Sequence, residues 1–189
     1  MKVFKRFDPR VKKILKGGGV GVIPTDTIYG ISGSAFSRKA VKRIYGVKKR
    51  SAKSPFIVLI ASLGDLKKFG VPLDKDTRRF LRKCWPGKVS VILRSRGGKS
   101  VAFRMPRYPA LRKLLKAAGP LVSTSANLSG KAPAATIGEA QAYFGERVDF
   151  YVDAGKMKSL PSTLVEMKDG KPAVLRPGAF DIGTIRHII

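Results

Sequence analysis

Residues 88–106, KVSVILRSRGGKSVAFRMP, decide what kind of sheet this chain builds. KVSVILR and SVAFRMP are strand-like apolar runs, and SRGGK between them carries the glycines of a turn. The stretch therefore predicts a hairpin, two neighbouring antiparallel strands. STLVEMKDGKPAVLRPG, residues 162–178, repeats the pattern about Asp169-Gly170. Two hairpins argue against a purely parallel, doubly wound fold.

Outside these hairpins, strands and helices interleave. DPRVKKILKGGG predicts a helix capped by Asp8, with Pro9 in its first turn, an apolar stripe of Val11, Ile14 and Leu15, and a stop at Gly17. VGVIPT reads as a buried strand running into a loop. SRKAVKRIYGVKK returns to helical spacing, with Ser37 as cap and Ala40, Val41, Ile44 and Tyr45 facing inward. FIVLIA has strand length. Helices are expected at 62–69, 74–84 and 108–118, then the strand GPLVS, the helix TIGEAQAYFG, the strand VDFYVDAG and a closing helix FDIGTIRHII. The pattern is α/β with a mixed sheet of parallel and antiparallel strands. With 189 residues, one domain over 1–189 is expected.

Charge is the largest signal in the composition. Lys and Arg number 39 against 12 carboxylates, a formal net charge of +27. Self-repulsion of that size destabilises a compact state, and a polyanion would relieve it, nucleic acid above all. The other reading is a solubility adaptation. The cations are spread along the whole chain, not gathered in a basic tail. An apolar fraction of 43% supports a sizeable core. No run approaches the length of a membrane span, and the basic start MKVFKRFDPR leads into no signal-peptide core. The lone Cys84 excludes an internal disulfide or a Cys-rich zinc site and reads as a core residue. A cytoplasmic protein is expected.

Familiar catalytic motifs do not fit. GxxxxGK[ST] is absent, and Gly17-Gly18-Gly19 precedes a strand where a phosphate loop would follow one. A Ser–His–Asp triad would have to use His187, the one histidine, near the end of a terminal helix. The few carboxylates form no evident metal cluster. Four polar clusters remain beside predicted strands: PTDTIYG at 24–30; Lys48-Lys49-Arg50 with Ser54-Pro55; Arg104; and VSTSANLSGKAPAAT at 122–136, whose one charge is Lys131. Each has a plain alternative, as a strand end, a solvated helix end, an edge cation or a capping loop. Together they supply hydroxyls, fixed cations and a carboxamide without a nucleophile–base pair. That set suits binding a phosphate and a small polar molecule, with catalysis by positioning and charge.

In these residues the chain resembles the YrdC/Sua5 family, the threonylcarbamoyl-AMP synthases. PTDTIYGISGSAF, IYGVKKRSAKSPFIVLI, WPGKVSVIL, VAFRMPRYPAL, LVSTSANLSGKAP, DAG, PSTLVE and VLRPGA occur in the family's order, over roughly residues 10 to 180. The paired signature KxR and SxN stands at Lys48-Lys49-Arg50 and Ser125-Ala126-Asn127. Serine follows Arg50 where many relatives have proline, and Ser54-Pro55-Phe56 replaces Asn-Pro-Leu.

The resemblance implies a single YrdC-like α/β domain: a twisted mixed sheet with flanking helices and a large basic concave face, without the C-terminal Sua5 domain. It implies formation of threonylcarbamoyl-AMP and pyrophosphate from L-threonine, bicarbonate or CO2, and ATP. Mg2+ would be bound through the ATP phosphates, with no metal site on the protein. The product feeds t6A modification of tRNA through a separate transferase machinery. Lys48 and Arg50 would contact the phosphates and act catalytically by charge. Ser54, Ser100, Ser125 and Asn127 would position the nucleotide, and Arg176 would close over the adenylate. Thr25, Thr27, Ser123 and Ser162 would form the threonine pocket, with Arg104 against its carboxylate.

Two other readings use the same residues. One is a tRNA- or double-stranded-RNA-binding protein without this catalysis, which the charge favours. It gives no reason for Ser-Thr-Ser-Ala-Asn with an Arg104 opposite. The other is a carbamoyl-adenylate module of the hydrogenase-maturation type. Its companion acylphosphatase-like and zinc-finger-like regions have no counterpart here.

Overall fold

Ten strands of one sheet carry the molecule, in the order β1-β8-β2-β3-β7-β4-β6-β5-β9-β10. They are β1 (Lys2–Phe4), β2 (Val20–Ile23), β3 (Gly30–Ser34), β4 (Ile57–Leu59), β5 (Val89–Arg94), β6 (Ser100–Arg104), β7 (Leu121–Ser125), β8 (Phe150–Val152), β9 (Thr163–Lys168) and β10 (Lys171–Arg176). The helices are α1 (Pro9–Lys16), α2 (Arg38–Lys48), α3 (Lys75–Cys84), α4 (Pro109–Ala118) and α5 (Ile137–Phe144). The structure is a computed structural model and describes residues 2–49, 51, 55–168, 170–181 and 183–184. Among these, no helix is long and apolar enough to cross a membrane.

The sheet is mixed, as the hairpins require. β5 pairs antiparallel with β6 and β9 with β10, while β4–β6, β5–β9, β2–β8 and β1–β8 are parallel. Helix ends follow the sequence signals. Asp8 accepts from the Arg10 N–H at the start of α1, Ser37 from Ala40 at α2, and Asp74 from Thr77 at α3.

Period-2 alternation divides the sheet into two faces. Val20, Val22, Ile31, Val58, Phe103, Val122 and Tyr151 enter one core with the apolar residues of α2, α3 and α5. Ile23, Leu59, Leu121, Phe150 and Val152 face the other way, against α1 and α4. The same parity puts Gly30, Ser123, Ile57, Ala102 and Arg104 on that second face. They line an open cleft.

Some expectations need adjustment. Residues Leu63–Phe69 form a 3-10 run and not an α-helix. β1 and β3 carry no sequence signal of their own: β1 is three residues long, and β3 is GISGS, poor in strand formers. Asp169 of the last hairpin lies outside the described residues, as does most of the predicted closing helix, including His187.

Candidate functional site

The cleft over β4, β6, β7 and β9 has a volume of about 460 Å³. Eight of the residues expected in the site line it: Thr25, Thr27, Ser100, Arg104, Ser123, Ser125, Ser162 and Arg176. An adjoining hollow of about 350 Å³ is lined by Lys48, Lys49, Ser51, Ser125, Asn127, Ser129 and Gly130. Ser125 belongs to both, so Lys48, Lys49 and the SxN segment adjoin one end of the cleft. Arg50 and Ser54 lie outside the described residues.

Lys48 is the hinge-pin of that end. It is 1% exposed, although a lysine at the end of a basic helix is ordinarily solvated. Its ammonium donates to the carbonyl oxygens of Ser125 at 2.5 Å and Asn127 at 2.7 Å, and to Asn127 Oδ1 at 2.9 Å. Ser125 Oγ donates to the same Oδ1 at 2.7 Å, and Asn127 Nδ2 donates to the Lys131 carbonyl at 2.5 Å. Lys48 thus brings a cation from another element to a stretch whose own single charge is Lys131. Lys49, in the left-handed conformation with φ 51°, turns the chain immediately after the helix.

The other end is built on Arg104, which is 5% exposed. Nη1 donates to Asp26 Oδ1 at 2.8 Å and to Thr27 Oγ1 at 3.2 Å, while Nε has no partner among the described residues. Burial pulls the guanidinium pKa below its ordinary value, and the Asp26 carboxylate works against that. Asp26 is held in turn by the Arg107 N–H at 2.8 Å. The expected free fork is thus already engaged on one side. Thr25 Oγ1 sits 3.0 Å from Thr27 Oγ1 and donates to the Ile28 carbonyl at 2.8 Å.

Between the two ends the floor is hydroxyl-rich and tightly spaced. Ser32 Oγ donates to Ser123 Oγ at 2.9 Å, and Ser90 and Ser162 share a hydrogen bond of 2.8 Å. Gly30 leaves room for the Ser32–Ser123 pair: a Cβ at that position would lie 2.5 Å from Ser123 Oγ. Arg176 Nη2 donates to the Ser162 carbonyl at 2.9 Å, joining β10 to the cleft wall. Tyr29 hydroxyl donates to the Gly155 carbonyl at 2.7 Å and accepts from the Ala154 N–H at 2.9 Å, which gives DAG a structural role. A larger hollow of about 510 Å³ lies on the far side of Thr25 and Asp26, walled by Tyr108, Met157 and Phe180. Of the expected residues it shares only Thr25.

A sequence model of the Sua5/YciO/YrdC family, described as telomere recombination, matches residues 13–178. The chain belongs to the Sua5/YciO/YrdC family. The threonylcarbamoyl-AMP synthase of Nitrosococcus oceani is 33% identical over 171 residues, covering 84% of this chain and 90% of that protein. The crystal structure of Pyrococcus abyssi Sua5 complexed with L-threonine superposes with a TM-score of 0.90 at 26% identity, over 100% of this chain. This chain spans only 61% of that Sua5. E. coli YciO shares the fold, with a TM-score of 0.84 over 96% of both chains at 24% identity.

Within the Sua5/YciO/YrdC frame, Asp26 is the site residue that the sequence alone did not single out. It stood inside PTDTIYG, but its use depends on Arg104, 78 residues away. The apolar walls Ile57, Leu59, Ile92 and Leu164 were legible only as strand residues. Cys84 is buried, and burial pushes its thiol pKa up to about 12, as a core cysteine requires.

Proposed function

We propose that this chain is an L-threonylcarbamoyladenylate synthase. It joins L-threonine, bicarbonate or CO2, and ATP to give threonylcarbamoyl-AMP and pyrophosphate, an ATP-dependent nucleotidyl transfer. The observation that carries the reading is one cleft with two chemically distinct ends: Lys48 with the SxN loop at one, and buried Arg104 with Thr25, Thr27 and Ser123 at the other.

Threonine suits the Arg104 end. Its carboxylate would meet the Arg104 guanidinium, a charge-assisted bond in a nearly dry site. Its hydroxyl has Thr25, Thr27, Ser123 and Ser162 for partners. The threonine amine takes up CO2 as a carbamate, and a carbamate oxygen then attacks the α-phosphorus. The new P–O bond replaces the bond to the β-phosphate oxygen, and pyrophosphate leaves with its electron pair. No protein nucleophile takes part.

ATP suits the other end. Ser54, Ser100, Ser125 and Asn127 position the nucleotide, and Arg176 borders the adenylate. Lys48 and Arg50 oppose the negative charge that grows as pyrophosphate departs, each worth about 2–4 kcal/mol by analogy with deleted oxyanion donors. Lys48 acts as a fixed positive charge, since its three protons already bind the SxN loop. Mg2+ would be carried on the phosphate oxygens, the hard ligands it favours. Among the described residues no group of three His, Cys, Asp or Glu side chains could hold it directly.

The product would pass to a t6A transferase machinery acting on tRNA in the cytoplasm. The basic concave face and direct tRNA or double-stranded-RNA contact stay with this proposal, favoured by the +27 charge. The test is mass-spectrometric detection of threonylcarbamoyl-AMP from ATP, threonine, bicarbonate and Mg2+. Product that vanishes when either threonine or bicarbonate is withheld is expected. No product from folded protein under the complete conditions would overturn the reading.

A further inference from the structure

Phe36 is 56% exposed, in the loop between β3 and α2. Its ring stacks on Phe69, with centroids 5.0 Å apart and planes 24° apart. Phe69 in turn meets the buried Phe103 edge-on at 5.1 Å. A surface aromatic is thus braced by two others down to the core, on the α2 face of the sheet and not the cleft face. Phe36 thus presents a braced aromatic face to solvent.

The surroundings say what fits against it. Arg38, Lys39 and Lys42 are exposed in the first turns of α2, with Arg38 and Lys42 on one side of the helix. Lys67 is exposed on the 3-10 run that carries Phe69. Among the described residues none of the four has an ion-pair partner. The one carboxylate of that run, Asp65, is already held by Lys68. A planar apolar ring flanked by unpaired cations matches a base flanked by phosphates. A folded RNA presents such unpaired bases next to a charged stem.

We propose that the Phe36–Phe69 pair docks an unpaired base of a structured RNA, with Arg38, Lys39, Lys42 and Lys67 on the adjoining phosphates. The surface lies on the opposite side of the sheet from the cleft, so RNA docking and adenylate synthesis use separate residues. The proposal does not rest on the catalytic reading.

The test uses the full chain and a labelled RNA stem-loop with an unpaired purine loop, followed by fluorescence anisotropy across a salt series. A blunt RNA duplex and a DNA hairpin of the same sequence serve as the other probes. F36A is expected to bind the stem-loop about tenfold more weakly, with an unchanged salt slope, unchanged duplex binding and unchanged threonylcarbamoyl-AMP formation. F36W is expected to restore the loss. R38A/K39A/K42A is expected to flatten the log–log salt slope by about 2, three phosphate contacts at roughly 0.7 each. Stem-loop binding by F36A equal to the unmodified chain overturns the proposal. Equal losses on stem-loop and duplex, or equal binding of the DNA hairpin, overturn the assignment to an unpaired RNA base.

Discussion

Asp26 and Arg104 form a buried pair in which the carboxylate holds one side of the guanidinium. D26N keeps the shape but removes the charge that fixes Arg104. We expect the threonine KM to rise about tenfold, the size of one charge-assisted hydrogen bond, while the ATP KM stays within about twofold. Steady-state kinetics with each substrate varied would decide it; equal changes in both constants would refute the positioning role. Cys84 offers a second check at this scale. With its thiol pKa near 12 it should resist iodoacetamide at pH 8 in the native chain and react at once in denaturant. The polar side chains of the site were legible because their types are chemically unusual beside strands: Ser125, Asn127 and Arg104 stand out in VSTSAN and VAFRM. Their partners were not. Lys48 read equally well as a solvated helix end, and only its burial under the SxN loop, 77 to 79 residues on, separates the two.

At the scale of elements, β3 explains why a strand can escape notice. GISGS has one branched residue, Ile31, and two glycines where a Cβ would crowd Ser123 and Ala40. G30A should show this: a methyl group 2.5 Å from Ser123 Oγ displaces that hydroxyl from its bond with Ser32. A destabilisation of about 1–3 kcal/mol is expected in urea unfolding, together with a higher threonine KM. The 3-10 run gives a pH signature. Burial opposes ionisation of Asp65, but the Lys68 ammonium and the N–H groups of Ala61 and Ser62 outweigh it and hold the pKa below the ordinary 3.8. Its stabilisation is therefore complete above that value and is lost as pH falls through the folded pKa. D65N should be less stable by about 1 kcal/mol at pH 7, the size of a lost cap, with the difference closing in acid. The capped helices and both hairpins were legible because their signals are local. Strand order was not, since β3 lies beside β7 and β4 beside β6 through contacts that span the chain.

For the whole molecule, a +27 charge must be contained by the core alone until counterions or a polyanion arrive. Added salt shortens the reach of that repulsion to about 8–10 Å near physiological strength. The melting temperature should accordingly rise between 20 and 300 mM NaCl, about a few degrees in calorimetry; a flat or falling profile would show that the cations are too dispersed to strain the fold.

The cleft has a further consequence for stability. Its lining comes from β3, β4, β5, β6, β7, β9 and β10, so a molecule bound there bridges strands from the first and last thirds of the chain. Such a molecule acts as a removable cross-brace. At about a hundredfold over its dissociation constant it would add about 2.7 kcal/mol to the whole sheet at once. The chain should therefore be hardest to unfold when its substrates are plentiful and easiest to degrade when they run out, which would tie its lifetime to its supply.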